Sequence, residues 1–196
     1  MPKVTIDQIK QLRDLTGAGM MAAKAALEES AGDLEAAQSL LRQKGQAAAG
    51  KRAAKETKAG LVDSYVHLGR VGVLIEVNCE TDFVARTDDF KQFVHELALQ
   101  IAAANPSYIA VDDVPAAEIK KEQAVYAADT KGKPADVAAK ILAGKLEKYY
   151  SEVCLLQQPT IQDASQTVED RLQQLISKLG ENIVIKQFAR FELGVS

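Results

Sequence analysis

The chain has 196 residues, enough to bury a sizeable core as one domain or as a small domain joined to a larger one. Its 24 Lys and Arg stand against 27 Asp and Glu, a net charge of -3, so it lacks the basic excess that binding a phosphate backbone requires, and nucleic acid is not expected as a direct ligand. The absence of any run of about 18 apolar residues argues against a membrane span, and the Met-Pro-Lys-Val-Thr start lacks the apolar stretch of a secretory signal, so a cytoplasmic protein is expected.

At the N-terminus, Thr5-Ile-Asp-Gln8 is a capping box, and Ile6, Ile9, Leu12 and Leu15 follow at helical spacing in a first helix ending at Gly17. Gly17 and Gly19 permit a tight reversal into a second helix, Met20 to Ser30, closed by Gly32. Asp33 caps a third, with Leu34, Ala37, Leu40 and Leu41 facing inward and Gly45 at its end. Three short helices of this kind resemble a ubiquitin-associated domain, expected over residues 1–46. Residues 47–59 read as a helical linker, rich in Ala and carrying Lys51, Arg52, Lys55 and Lys58. Within it, Gly45-x4-Gly50-Lys51-Arg52 imitates a phosphate loop. A helix precedes it where a strand is needed, and position 52 has no hydroxyl for magnesium, so no nucleotide site is assigned.

Residues 60–196 are expected to form an α+β core. Leu61 to His67 and Arg70 to Asn78 are Val-rich and flank a turn with Gly69, the pattern of a hairpin. A third strand is predicted at Asn182 to Leu193, with Ile183, Ile185, Ala189, Phe191 and Leu193 on its inner face, completing a small antiparallel sheet. Between hairpin and last strand come helices. Thr87 caps one with a stripe of Phe90, Phe93, Val94, Leu97 and Ile101, stopped by Asn105-Pro106. A helical pair is predicted at Ala116 to Ala128 and Ala135 to Tyr150, and a last helix from about Ser165 to Leu179, ending at Gly180.

Few residues offer covalent or metal chemistry. Cys79 and Cys154 have no CxxC or CxxH neighbour and read as buried small apolar groups of a reducing compartment. His67 and His95 lack a second ligand at metal spacing, so no metal, no cofactor and no catalytic nucleophile is expected. An enzyme built on these Cys and His residues is a rival reading that retained activity after replacing both cysteines would remove.

The connection Thr81-Asp82-Phe83-Val84 is the most informative segment, because it sets a carboxylate beside a large ring where a strand gives way to a helix. A Phe so placed more often plugs its own core than a partner's. Its context changes that weighting. Leu12-Arg-Asp-Leu-Thr-Gly-Ala-Gly-Met-Met21 with Lys24, Ala26 and Leu27, then Val77-Asn-Cys-Glu-Thr-Asp-Phe-Val-Ala-Arg86, then Leu179-Gly-Glu-Asn-Ile183 closely resemble, in order and over essentially the whole chain, the elongation factor Ts family.

That resemblance implies a non-enzymatic guanine-nucleotide exchange factor acting on elongation factor Tu during translation. It implies that Thr81, Asp82, Phe83 and Val84 intrude beside the magnesium end of the partner's nucleotide pocket, and that Leu179 and Gly180 press toward its phosphate loop. Leu12, Arg13, Met20, Met21 and Lys24 would dock the N-terminal helices. Ala22 and Ala23 depart from the Asp and Cys that many members carry, which removes a possible cap or charge contact. A short member with one copy of the core implies a homodimer. A non-catalytic ubiquitin-associated-like binding module is the alternative; it accounts for only the first quarter of the chain.

Overall fold

A computed structural model describes residues 4–127 and 130–194 of the chain. In chain order the elements are α1 (Ile6–Thr16), α2 (Met20–Glu29), α3 (Leu34–Arg52), β1 (Ala59–His67), β2 (Val71–Cys79), α4 (Asp82–Ala85), α5 (Asp88–Ala104), α6 (Ala116–Ala127), α7 (Ala135–Val153), α8 (Val168–Leu179) and β3 (Ile183–Glu192). Single 3-10 turns lie at Val111–Asp113 and Leu155–Gln157. The class is α+β, with one antiparallel sheet in the order β1-β2-β3. The expected end of α6 at Ala128 falls outside the described residues.

The chain divides into two compact units, one made of Met1–Asp63, Glu76–Val94 and Asp170–Lys186, the other of Ser64–Ile75, His95–Glu169 and Gln187–Ser196. In the first unit, the Thr5 hydroxyl accepts from the Gln8 amide while the Gln8 side chain accepts from the Thr5 amide, the capping box read from sequence. Ile9, Leu12, Ala23, Ala26, Leu27 and Ala37 form the buried cluster of α1 to α3, with Leu34, Leu40 and Leu41 packed partly against it. Small residues at three of these positions let the helices approach closely. The expected inward stripe of α1 is corrected at both ends: Ile6 and Leu15 are exposed, and Thr16 takes the inner place instead, its hydroxyl donating to the Leu12 carbonyl at 2.6 Å.

A second correction concerns α3, which runs through Gly45 to Arg52. Gly45 stays helical because the Ala-rich segment after it favours continuation, and it is buried where α3 meets α8, the Gln173 carbonyl standing at ordinary contact distance, 3.9 Å, from where a Cβ would lie. The phosphate-loop look-alike is therefore interior helix, its amides spent on helical bonds. Asp170 of α8 is buried and paired with Arg42 at 2.9 Å, a further tie between α3 and α8. Where β1 meets β2, a Cβ at Gly60 would collide with the Val77 carbonyl, so only glycine allows this approach.

β2 alternates as a central strand should, burying Val73, Ile75, Val77 and Cys79. The hairpin closes through Leu68 and Gly69, both at positive φ (50° and 68°), with the Arg70 amide donating to the His67 carbonyl at 2.9 Å, the two-residue turn whose twist matches antiparallel strands. In β3 the expected alternation holds for Ile183 and Ile185 only. Lys186 and Gln187 are both exposed, the phase shifts there, and Phe191 and Leu193 turn outward while Phe188 and Ala189 are half-buried.

α5 carries its predicted stripe buried and ends at Asn105, which takes a positive φ of 48° before Pro106. In the second unit, Glu118 of α6 accepts from the Tyr108 and Tyr149 hydroxyls at 2.9 and 3.3 Å, tying α6 to α7 and to the loop after α5. α8 starts at Val168, later than expected, because Asp163 captures the Ser165 amide and hydroxyl and the Gln166 side chain in a turn of its own.

Candidate partner-binding site

β2 delivers the chain to Thr81, whose extended backbone and hydroxyl cap the single helical turn α4. In one turn only about half the residues can face inward, and the small apolar pair Val84 and Ala85 takes those places. Phe83 is thereby driven out and stands 79% exposed. It does not plug its own core. Asp82, also exposed, is paired with Arg86 at 2.8 Å, which holds its carboxylate on the same side of the turn. Beneath the turn, the buried Cys79 thiol donates to the Thr81 carbonyl at 3.1 Å, and its burial raises the thiol's pKa.

The second segment is the end of α8. Leu179 is half-buried; Gly180 adopts a φ of 72°, and its amide closes on the Ile176 carbonyl at 2.8 Å, the left-handed stop glycine favours. Glu181 follows, and its two carboxylate oxygens accept from the Thr81 amide at 3.0 Å and the Thr81 hydroxyl at 2.6 Å. In return, Glu80 accepts from the amide of the buried Asn182 at 2.6 Å and from the Arg52 guanidinium at 3.2 Å. The Asn182 amide, then Arg52, hold the Glu80 carboxyl below its ordinary range. The Asn182 side chain donates to the Lys55 carbonyl at 2.9 Å, and Lys178 pairs with Asp89 at 2.7 Å. Two sequence segments a hundred residues apart, each singled out separately, thus meet.

The residues expected to touch the partner, Val84 of the intruding turn and the five assigned to docking, separate by exposure. Leu12 is fully buried and Val84 nearly so, and both are spent on the unit's own core. Met20 and Met21, at 49% and 77% exposure, open α2, with exposed Ile6 and Leu15 on α1. Arg13 and Lys24 are exposed and make local pairs with Asp14 and Glu28. Ala22 is exposed and Ala23 buried, so an acidic residue at the first would be accommodated and a larger one at the second would not.

Sequence reasoning did not identify Glu80, Glu181, Asn182 or Arg52. The only sequence signal was a Glu directly before Thr-Asp-Phe and another directly after Leu-Gly, which has meaning only once the two segments meet. Among the described residues no three His, Cys, Asp or Glu side chains are grouped to hold a metal ion, and no helix is long and apolar enough to cross a membrane.

The family profile described as elongation factor TS matches residues 19–195. The chain is 54% identical to elongation factor Ts of Thermoanaerobacter sp. (strain X514) over 97% of its own length and 95% of that protein's. It is 53% identical to the protein of the same name from Caldanaerobacter subterraneus subsp. tengcongensis, covering 97% of each. Against that of Thermotoga petrophila the identity is 50%, over 98% of this chain and 97% of the relative. Matched by the family profile over residues 19–195 and by such relatives over 97–98% of its length, this chain belongs to the elongation factor Ts family of translation elongation factors.

Proposed function

We propose that the chain promotes release of GDP from elongation factor Tu, and then loading of GTP, by inserting the Asp82-Phe83 turn beside the magnesium and pressing the Leu179-Gly180 turn toward the phosphate loop. The observation that carries this reading is the exposed Phe83 ring on a turn whose neighbours, Thr81 and Val84, are pinned from below. An apolar ring held rigidly in water gains from any apolar gap that accepts it. Asp82 supplies polar contacts beside it, and Met20 and Met21 adapt to an apolar groove on the GTPase domain.

GDP in such a GTPase is held by phosphate-loop contacts and by Mg2+ bridging phosphate oxygens to protein groups. A wedge that displaces either weakens both. A thousandfold faster release needs about 4 kcal/mol of differential stabilisation, at about 1.4 kcal/mol per decade. Coupling is reciprocal, so the factor holds the nucleotide-free partner more tightly by the factor by which it weakens nucleotide binding, and incoming GTP expels it. No bond is made or broken in this scheme, and the protein acts as an exchange factor rather than an enzyme.

Stopped-flow release of fluorescent GDP from elongation factor Tu tests the reading directly: the protein should accelerate release, and an unchanged rate at saturating protein would refute it. The same reading places the chain in the cytoplasm, and cell fractionation that found it elsewhere would count against that. We assign a second copy of the chain to the outer edge of β3, an edge strand on which Phe191 is 72% exposed and Leu193 lies beside it.

A further inference from the structure

We infer that Glu80 and Glu181 are positioning residues for nucleotide exchange, a reciprocal carboxylate clamp that locks the Phe83 turn to the Gly180 turn at a fixed spacing. This rests on the exchange reading and deepens it. Each Glu directly precedes the residue whose main-chain N–H the other one binds: Glu181 takes the Thr81 amide at 3.0 Å, and Glu80 takes the Asn182 amide at 2.6 Å. Bonds to main-chain donors fix the path of the backbone, whereas bonds between side-chain tips would leave both turns free to shift. Bonds from main-chain N–H groups to carboxylate oxygens are among the short, strong ones.

The arrangement draws its acceptor capacity from both carboxylates. Glu181 spends its second oxygen on the Thr81 hydroxyl at 2.6 Å, which fixes the residue that caps α4 and so the direction in which Phe83 leaves the turn. Glu80 receives Arg52 at 3.2 Å, and the guanidinium offsets the charge brought in by two carboxylates on adjoining segments. Arg52 belongs to the last turn of α3, and Asn182 donates to Lys55 just beyond it, so the clamp also secures the end of that helix. A wedge that must enter one gap while a second turn presses another needs its two contact points held together before the encounter. Otherwise the ordering occurs at the partner's surface and lowers the rate of the opening step.

The test is stopped-flow release of fluorescent GDP from elongation factor Tu as a function of factor concentration, which separates maximal rate from half-saturation. Glu181→Ala should lower the maximal rate about tenfold, the loss of a charge-assisted bond, while half-saturation stays within about twofold because Met20 and Met21 are untouched. Glu181→Gln should restore most of the rate, since its carbonyl accepts the Thr81 amide and the Thr81 hydroxyl accepts in turn from the side-chain NH2. Thr81→Val, which removes the hydroxyl that Glu181 binds, should lower the maximal rate as Glu181→Ala does. Placed on a Phe83→Ala background, Glu181→Ala should cost less than it does alone, since only the Gly180 turn is left for it to misplace. Native maximal exchange by Glu181→Ala, or an equal loss on the Phe83→Ala background, would overturn the clamp. Native exchange by Phe83→Ala alone would instead overturn the exchange reading beneath it.

Discussion

Phe83→Ala is the most direct perturbation of this protein, because the ring is almost entirely outside its own fold. A Phe side chain offers about 200 Å² when open, so at 79% exposure about 160 Å² is available to a partner. At about 25 cal/mol per Å², full burial of that area is worth about 4 kcal/mol, and half burial about 2 kcal/mol. At about 1.4 kcal/mol per decade, the mutant should release GDP from elongation factor Tu between about thirtyfold and about seven-hundredfold more slowly at saturating factor. The fold should hardly respond, since surface truncations of this kind stay within about 0.5 kcal/mol. Stopped-flow fluorescence reads the first quantity, and a melt followed by circular dichroism reads the second. Native exchange by a folded mutant would refute the wedge, and a collapsed melting temperature would mean the ring serves its own core after all.

Replacing Met20 and Met21 together by Ala should raise the half-saturating factor concentration about tenfold, as loss of apolar contacts at a docking face does, and leave the maximal rate nearly unchanged; titrated exchange kinetics would show an effect on the maximal rate if these residues acted at the nucleotide. Sedimentation velocity should find a dimer that Phe191→Asp converts to monomer, and a native protein that sediments as a monomer at micromolar concentration would remove the assignment of β3. Stability should decline as pH rises from about 9 to about 11, because burial, with Asp113 adding to it, pushes the Cys154 thiol from 9.0 up to about 11. The folded thiol keeps its proton where the unfolded one has lost it, so the unfolded state binds fewer protons and unfolding gains with pH. Cys79 acts in the same direction. Denaturant titrations across that range should show the slope, and Cys154→Ala should flatten it.

Local chemistry was enough for most of the elements. The Thr5 capping box, Asp33 and Thr87 as helix starts, the Val-rich hairpin and the stripe of α5 each depend on residues within a turn or two of one another, and they stand where the sequence places them. Gly45 reads as a stop by composition but continues α3, because the Ala-rich segment after it favours helix and the Arg42–Asp170 pair holds α3 against α8. Phe191 and Leu193 fit a period of two from Ile183, yet the burial phase shifts at Lys186 and Gln187, which no local pattern announces. Ile6 and Leu15 fit the α1 stripe but are exposed, and Thr16 is buried in their stead.

The candidate site divides in the same way. Linear sequence alone establishes the family and picks out Thr81 to Val84, Leu179 and Gly180, since those are strings of neighbouring residues. Whether the Phe83 ring points inward or outward depends on which of four residues in one turn finds a core to enter, and Val84 and Ala85 are the ones that do. The bonds between Glu80 and Asn182 and between Glu181 and Thr81 span about a hundred positions. Hydrogen bonds act over about 3 Å, so such partners are chosen by the packing of α8 beside the end of β2, and only the folded chain brings them within range.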